Sequence, residues 1–451
     1  MIDKDKAMNI LKKVLSHSKA ELTEAVLESE RLSLTRFAES KIHQNIDREE
    51  TILYVRTIRD KKIGVTATGD ISDEGIKRAV ANCEAMHKYI PPDENFMTLP
   101  GPDPVPLPET RISEGTAGYN PQMRAEAVET IAGIAADGKL EASGAFRIEQ
   151  KVLAVTNSRK VERFFAGSGG ELSMTLSGKD GNSGWAKAYS PDISQIDISA
   201  LADKAAQKAI LSKSPISLPD GKYTVILEPA AVGQLLLLLS FMGFGGRTFY
   251  QHRSFMSGKI GEKIAGDNFT VYEDPTDDDF CIYPFDYEGV PRRKVPLIAN
   301  GYGRGVVYNS YYAALMNTES TGHALAPTNR YGPYPKAMSV ATGNSSLEKM
   351  IASTESGILI THFWYLNFLN PMRTMVTGTT RDGTFLIKNG KIDAPVKNMR
   401  TNQSILEAFS NIELITKEAV IYPQYSILMK VPGMKINNFN LAAEDEDNNK
   451  C

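Results

Sequence analysis

A chain of 451 residues, 42% of them apolar, is long enough for two or three domains with sizeable cores. Its 51 basic and 54 acidic side chains nearly cancel, to −3, with no block of Lys or Arg, which argues against a nucleic-acid face. The longest apolar run, residues 235–244, is far too short to span a bilayer.

The opening Met-Ile-Asp-Lys-Asp-Lys lacks the layout of a signal peptide. Three widely spaced cysteines, Cys83, Cys281 and Cys451, read as free thiols of a reducing compartment. A cytoplasmic protein with no membrane and no direct nucleic-acid partner is expected. Residues 5–15 place Ala7, Met8, Leu11, Val14 and Leu15 on one helical face. Segments 31–39, 41–48 and 51–59 alternate as strands, and Ser72 caps a second amphipathic helix with Ile76, Ala79, Val80 and Cys83 inward. These make an α+β subdomain over residues 1–90.

Seven prolines between residues 91 and 108 exclude helix and central strand and predict an extended connection. Beyond it, Asn120-Pro121 opens a helix that Gly138 closes. Short alternating segments from 141 to 189, punctuated by glycine-rich turns, read as antiparallel sheet, and a helix follows over 198–213. This is a second α+β subdomain, 109–215. From 220 to 440 the pattern is strand-rich, with helices over 229–242 and 345–352, and 441–451 reads as an acidic tail. The fold class expected is α+β, with N-terminal α+β subdomains followed by a mainly antiparallel-sheet C-terminal domain.

The most patterned stretch is 355–403. Residues 357–361 read as a strand, an aromatic run follows, and Asn370-Pro371 marks a turn. Segments 385–388 and 391–393 flank Asn389-Gly390, the strongest short hairpin signal. The wording NPMR at 370–373, TGTTRDGTFLIKNGKI at 377–392 and PVKNMRTNQ at 395–403 resembles the TldD/PmbA family, often labelled modulators of DNA gyrase. The resemblance continues through SFMSGKIGEKIAGDNFTVYEDP at 254–275 and PFDYEGVPRRKVPLIANG at 284–301. It covers most of residues 220–435, whereas the first 215 match only in general organisation.

Catalytic members of that family carry HExxxH on the helix after the domain's first strand, two zinc-ligand histidines around a glutamate base. Laid through the shared Ala-Val-Gly, the first histidine becomes Pro229, the glutamate Ala230 and the second histidine Gln234. Proline and alanine neither hold a zinc ion nor take a proton from its water. The third ligand, a cysteine near the last strands, has no counterpart between 411 and 422. The resemblance therefore implies the metal-free PmbA/TldE-type branch, with no cofactor of its own and zinc only in a partner subunit. It further implies a dimer around an interior cavity, a homodimer in isolation or a pair with an HExxxH-bearing homologue that hydrolyses unfolded or small peptides. An autonomous peptidase with a dispersed site, and a peptide-binding or regulatory protein without a catalytic partner, are the alternatives.

Other signals are weaker. No two of the six histidines lie within five residues of each other, so none shows metal-ligand spacing. His362 reads first as a hydrogen-bonded residue at a sheet end, and otherwise as the wall of a cleft with Tyr365, Asn370 and Arg373 as peptide contacts. Most aromatics from 363 to 368 are expected in the core. Residues 273–279, rich in Asp and Glu, read as a solvated loop. The glycines at 301–305 read as a hairpin between strands 295–299 and 306–309. Five consecutive leucines, 235–239, require a buried helix, as core or as a subunit contact.

Overall fold

The computed structural model describes residues 1–443. Helix α1 (Lys4–His17) leads into three antiparallel strands, β1 (Leu22–Ala38), β2 (Lys41–Arg59) and β3 (Lys62–Thr68). Helix α2 (Asp73–Ala85) packs beside α1, its Ser72 side chain accepting from Gly75 N–H as an N-cap. The proline-rich segment then runs without regular structure to β4 (Thr110–Arg111). Two helices follow, α3 (Glu114–Ala117) and α4 (Pro121–Asp137), the latter capped by Asn120 with proline at its first turn. Strands β5 (Glu141–Asn157), β6 (Glu162–Ser177) and β7 (Ser183–Ser190) precede α5 (Ile198–Leu211).

β1 pairs with β5 from Glu24–Asn157 to Phe37–Gly144, so residues 1–90 and 109–215 share one seven-stranded sheet, ordered β3-β2-β1-β5-β6-β4 with β7 on β6. Each stretch keeps its own helices and its own cluster of buried side chains on that sheet.

The second sheet has eleven strands. Strand β8 (Gly221–Leu227) enters α6 (Pro229–Gly243), followed by α7 (Gly246–Tyr250), β9 (Val271–Glu273), β10 (Val295–Ala299) and β11 (Tyr302–Gly303). After α8 (Ser310–Leu315), β12 (Ala337–Val340) and α9 (Leu347–Ala352) come β13 (Ser356–Asn370), β14 (Met375–Lys388), β15 (Lys391–Pro395) and β16 (Met399–Ser404). Helix α10 (Ile405–Ser410) leads to the closing hairpin, β17 (Ile412–Gln424) and β18 (Ile427–Ala443). Pairing is antiparallel except for β12–β18 and β13–β8. The β14–β15 turn has Asn389 and Gly390 at φ +50° and +77°, the left-handed pair that a two-residue hairpin demands. All five leucines at 235–239 are buried, which makes α6 the central helix of the largest core.

Several expectations change. The strand paired with β10 is Tyr302–Gly303 rather than 306–309. Glu273 and Asp274 are buried, because Glu273 ends β9 and accepts from the backbone N–H of Lys336 and Ala337; only the later part of the acidic loop is solvated. β13 is one strand through the aromatic run, so His362 lies mid-strand. β18 continues to Ala443, three residues into the segment read as a tail, and the rest of that segment lies outside the described residues. No helix among the described residues is long and apolar enough to cross a membrane.

Candidate functional site

The helix that would carry the metal motif is built for packing. β8 ends at Leu227, and the Glu228 N–H donates to Ile360 O before Pro229 opens α6. Proline suits that first helical position because its missing N–H has no intrahelical partner there. The Glu228 carboxylate makes no cap bond to its own helix. It instead accepts from Lys208 Nζ of α5 at 2.6 Å, with both side chains at most 10% exposed. Burial lowers the Lys208 pKa, against the opposing pull of Glu228.

One turn on, Gln234 is committed at both ends of its amide. Its Oε1 accepts from Phe363 N–H at 2.7 Å, and its Nε2 donates to Phe363 O at 2.9 Å. The side chain thereby acts as a short strand paired to β13, satisfying buried backbone groups there. Beside it, a Cβ on Gly233 would lie 2.6 Å from the Tyr422 ring, so helix and β17 meet where a side chain would separate them. A pyrrolidine ring, a methyl group and a doubly bonded amide do not fit a tetrahedral zinc site. Among the described residues no group of three or more His, Cys, Asp or Glu stands ready to hold a metal ion.

His362 is buried. Its Nδ1 lies 3.0 Å from Phe363 O and its Nε2 3.1 Å from Asp382 Oδ2, and its ring packs 4.6 Å from that of Trp185. Asp382 also accepts from Ser183 Oγ at 2.6 Å. Burial pushes the Asp382 pKa up, but the bonds from His362 and Ser183 outweigh it and hold the carboxyl below its ordinary value. This network joins β7 of the first sheet to β13 and β14 of the second.

The other three candidates lie elsewhere, along the far half of β13 and the turn after it. Tyr365 is 76% exposed, Asn370 caps the short 3-10 turn Pro371–Arg373 by accepting from Arg373 N–H, and Arg373 is exposed. The core expectation for the aromatic run is corrected here. Only Phe363 is buried, whereas Trp364, Tyr365, Phe368, Leu369 and Met372 form an exposed apolar strip. The β13–β14 pairing continues through this stretch, with bulges at 364–367 and 368–370. Arg381 stacks on Trp364 at 4.5 Å.

A cavity of about 580 Å³ lies between the two sheets, and none of the four candidates borders it. Sequence reading missed it because its walls come from β1, β5, β6 and β7, from the loops around 281–292 and 325–336, and from the β17–β18 turn. The available signal was charge at every second position inside strands, Glu28 and Glu30 on β1 and Arg147, Glu149 and Lys151 on β5. Glu149 pairs with Arg147 and Lys151, Lys187 with Glu171 at 3.4 Å, and Glu28 accepts from Tyr287 at 2.6 Å. Burial pushes the Lys336 ammonium down to about 8, with Arg292 adding to it. Tyr422, between α6 and this space, donates to the cavity residue Gln424 at 3.0 Å and lies under Lys187.

Residues 220–443 match the family described as PmbA/TldA metallopeptidase C-terminal domain, and residues 23–86 match PmbA/TldA metallopeptidase domain 1. The crystal structure of TldE from Thermococcus kodakarensis superposes with a TM-score of 0.87 at 23% identity, covering 96% of this chain and 99% of that one. A protein named metalloprotease TldD homolog, from Haemophilus influenzae, is 26% identical over 296 residues, 64% of this chain and 58% of its own length. A metalloprotease of Methanothermobacter thermautotrophicus is 25% identical over 230 residues, 48% of each chain. The chain thus spans about half the length of the curated relatives it matches.

Proposed function

Since the chain belongs to the TldD/PmbA family, we propose that it is a non-catalytic, TldE-type subunit of a metallopeptidase whose zinc is supplied by a homologous HExxxH-bearing partner. The observation that carries this reading is the pair of hydrogen bonds between the Gln234 amide and the Phe363 backbone, which turns the position of a metal ligand into a structural clamp. Glu228, the one carboxylate at the head of that helix, is held by Lys208 and is not free to act as a base. On this reading the chain has no metal of its own. It completes the walls around an unfolded or small peptide that the partner cleaves.

The exposed strip at 364–372 is the seat we assign to the partner, since it extends the strand to which Gln234 is tied. Without that partner a second copy of this chain would cover it, giving a homodimer. The free thiols Cys83 and Cys281 support a reducing, cytoplasmic setting. A peptide-binding role without a catalytic partner is favoured by the cavity alone, which needs no zinc to hold a ligand. Mixing the chain with an HExxxH homologue and an unstructured peptide separates the two. Cleavage by the mixture and not by this chain supports the subunit, and no gain over the homologue alone supports the binding protein.

A further inference from the structure

The cavity contains donors that the protein leaves without acceptors. Arg292 is 7% exposed, yet its Nε and Nη1 have no hydrogen-bond partner. The neighbouring carboxylates are already engaged. Glu273 accepts from His323 Nε2 and from the N–H groups of Lys336 and Ala337. Asp286 accepts from the N–H groups of Glu288, Val290 and Ala324, and burial pushes its carboxyl up to about 7. Within electrostatic reach of Arg292 are Lys336, Tyr283 and Tyr334, all on the cavity wall. The Tyr283 hydroxyl is buried and unpartnered, and Lys336 Nζ has only the Tyr334 hydroxyl at 3.3 Å and its ring. Buried donors rarely go unpaired, and Arg292, although Glu273 and Asp286 act on it electrostatically, keeps two donors free for an added acceptor.

We propose that this part of the cavity is a carboxylate subsite, in which Arg292 and Lys336 supply charge and Tyr283 a third donor, for the free C-terminal carboxylate of a short peptide. The peptide part rests on the subunit reading above; the anion part rests on the cavity alone. A planar, singly charged group matches the guanidinium fork, whereas a phosphate dianion would bring a second charge towards Glu28 and Asp286. The rings of Tyr283, Tyr287, Tyr334 and Phe165 line the same space and offer apolar surface to the residue that carries the carboxylate. The groups acting on Lys336 are Arg292, Lys151, Glu273 and Glu28. An added anion raises the lysine pKa from its depressed value, so binding near pH 8 takes up about half a proton.

The test is calorimetric titration of the full chain with acetyl-Ala-Ala-Phe as free acid, as C-terminal amide, and with inorganic phosphate, at pH 8 in buffers of different ionisation enthalpy. The acid is expected to bind at least roughly tenfold tighter than the amide and than phosphate, with proton uptake. Lys336→Met, on the cavity wall, and Arg292→Gln should each weaken the acid by roughly tenfold or more and the amide by much less. Lys336→Met should also reduce the uptake. Equal binding of acid and amide, tighter binding of phosphate, or no binding of the acid would overturn the subsite. The subunit reading fails separately, on the mixing experiment. Binding of the acid without cleavage by the mixture would leave the subsite standing and that reading refuted.

Discussion

Lys208→Met is the perturbation that most sharply separates a structural Glu228 from a reactive one. The Lys208–Glu228 pair spans 2.6 Å with exposures of 10% and 6%. Breaking a buried pair from one side leaves an uncompensated charge, at about 3–5 kcal/mol. Lys204 at 3.9 Å, itself about half exposed, offers a weak substitute. The expected loss is therefore about 3 kcal/mol, at the low end of that range. Lys208→Met with Glu228→Gln should recover most of the loss at pH 7, since no charge then remains buried. Urea unfolding followed by Trp185 fluorescence, in a Trp364→Phe background, reads the difference. A loss under about 0.5 kcal/mol, or no recovery in the double variant, would show that Glu228 does not depend on Lys208.

Two further outcomes follow from the site. Protein made in zinc-supplemented medium should carry no stoichiometric zinc by elemental analysis; about one zinc per chain, lost on changing Gln234, would contradict the clamp. Sedimentation at micromolar concentration should show a dimer, and Leu369→Asp, on a side chain 55% exposed, should yield a folded monomer; a wild-type monomer throughout would remove the strip from the interface.

The elements that sequence reading placed well are those whose signals are local. The Ser72 and Asn120 caps, the Asn389-Gly390 hairpin and the leucine run of α6 each depend on a few adjacent residues, and each is where the pattern puts it. Pairings across long separations were hidden. β1 joins β5 across more than a hundred residues, and no composition shift announces it. The same cause hid the cavity, whose donors Tyr283, Arg292 and Lys336 lie on loops that only the tertiary fold brings to the charged strands β1 and β5. The aromatic run failed for a different reason. Hydrophobicity reports a need for cover but does not say whether the cover lies within the chain, and at Trp364–Tyr365 among the described residues it does not. The use made of Gln234 was not legible, because its partner Phe363 lies 129 residues away.

The most direct test of the central claim is reconstitution. This chain, an HExxxH homologue from the same host, and an unstructured peptide are combined, and cleavage is followed by mass spectrometry with and without a zinc chelator. The account predicts no cleavage by this chain alone, cleavage by the mixture above that of the homologue, and its loss on chelation. Chelator-resistant cleavage by this chain alone would contradict it.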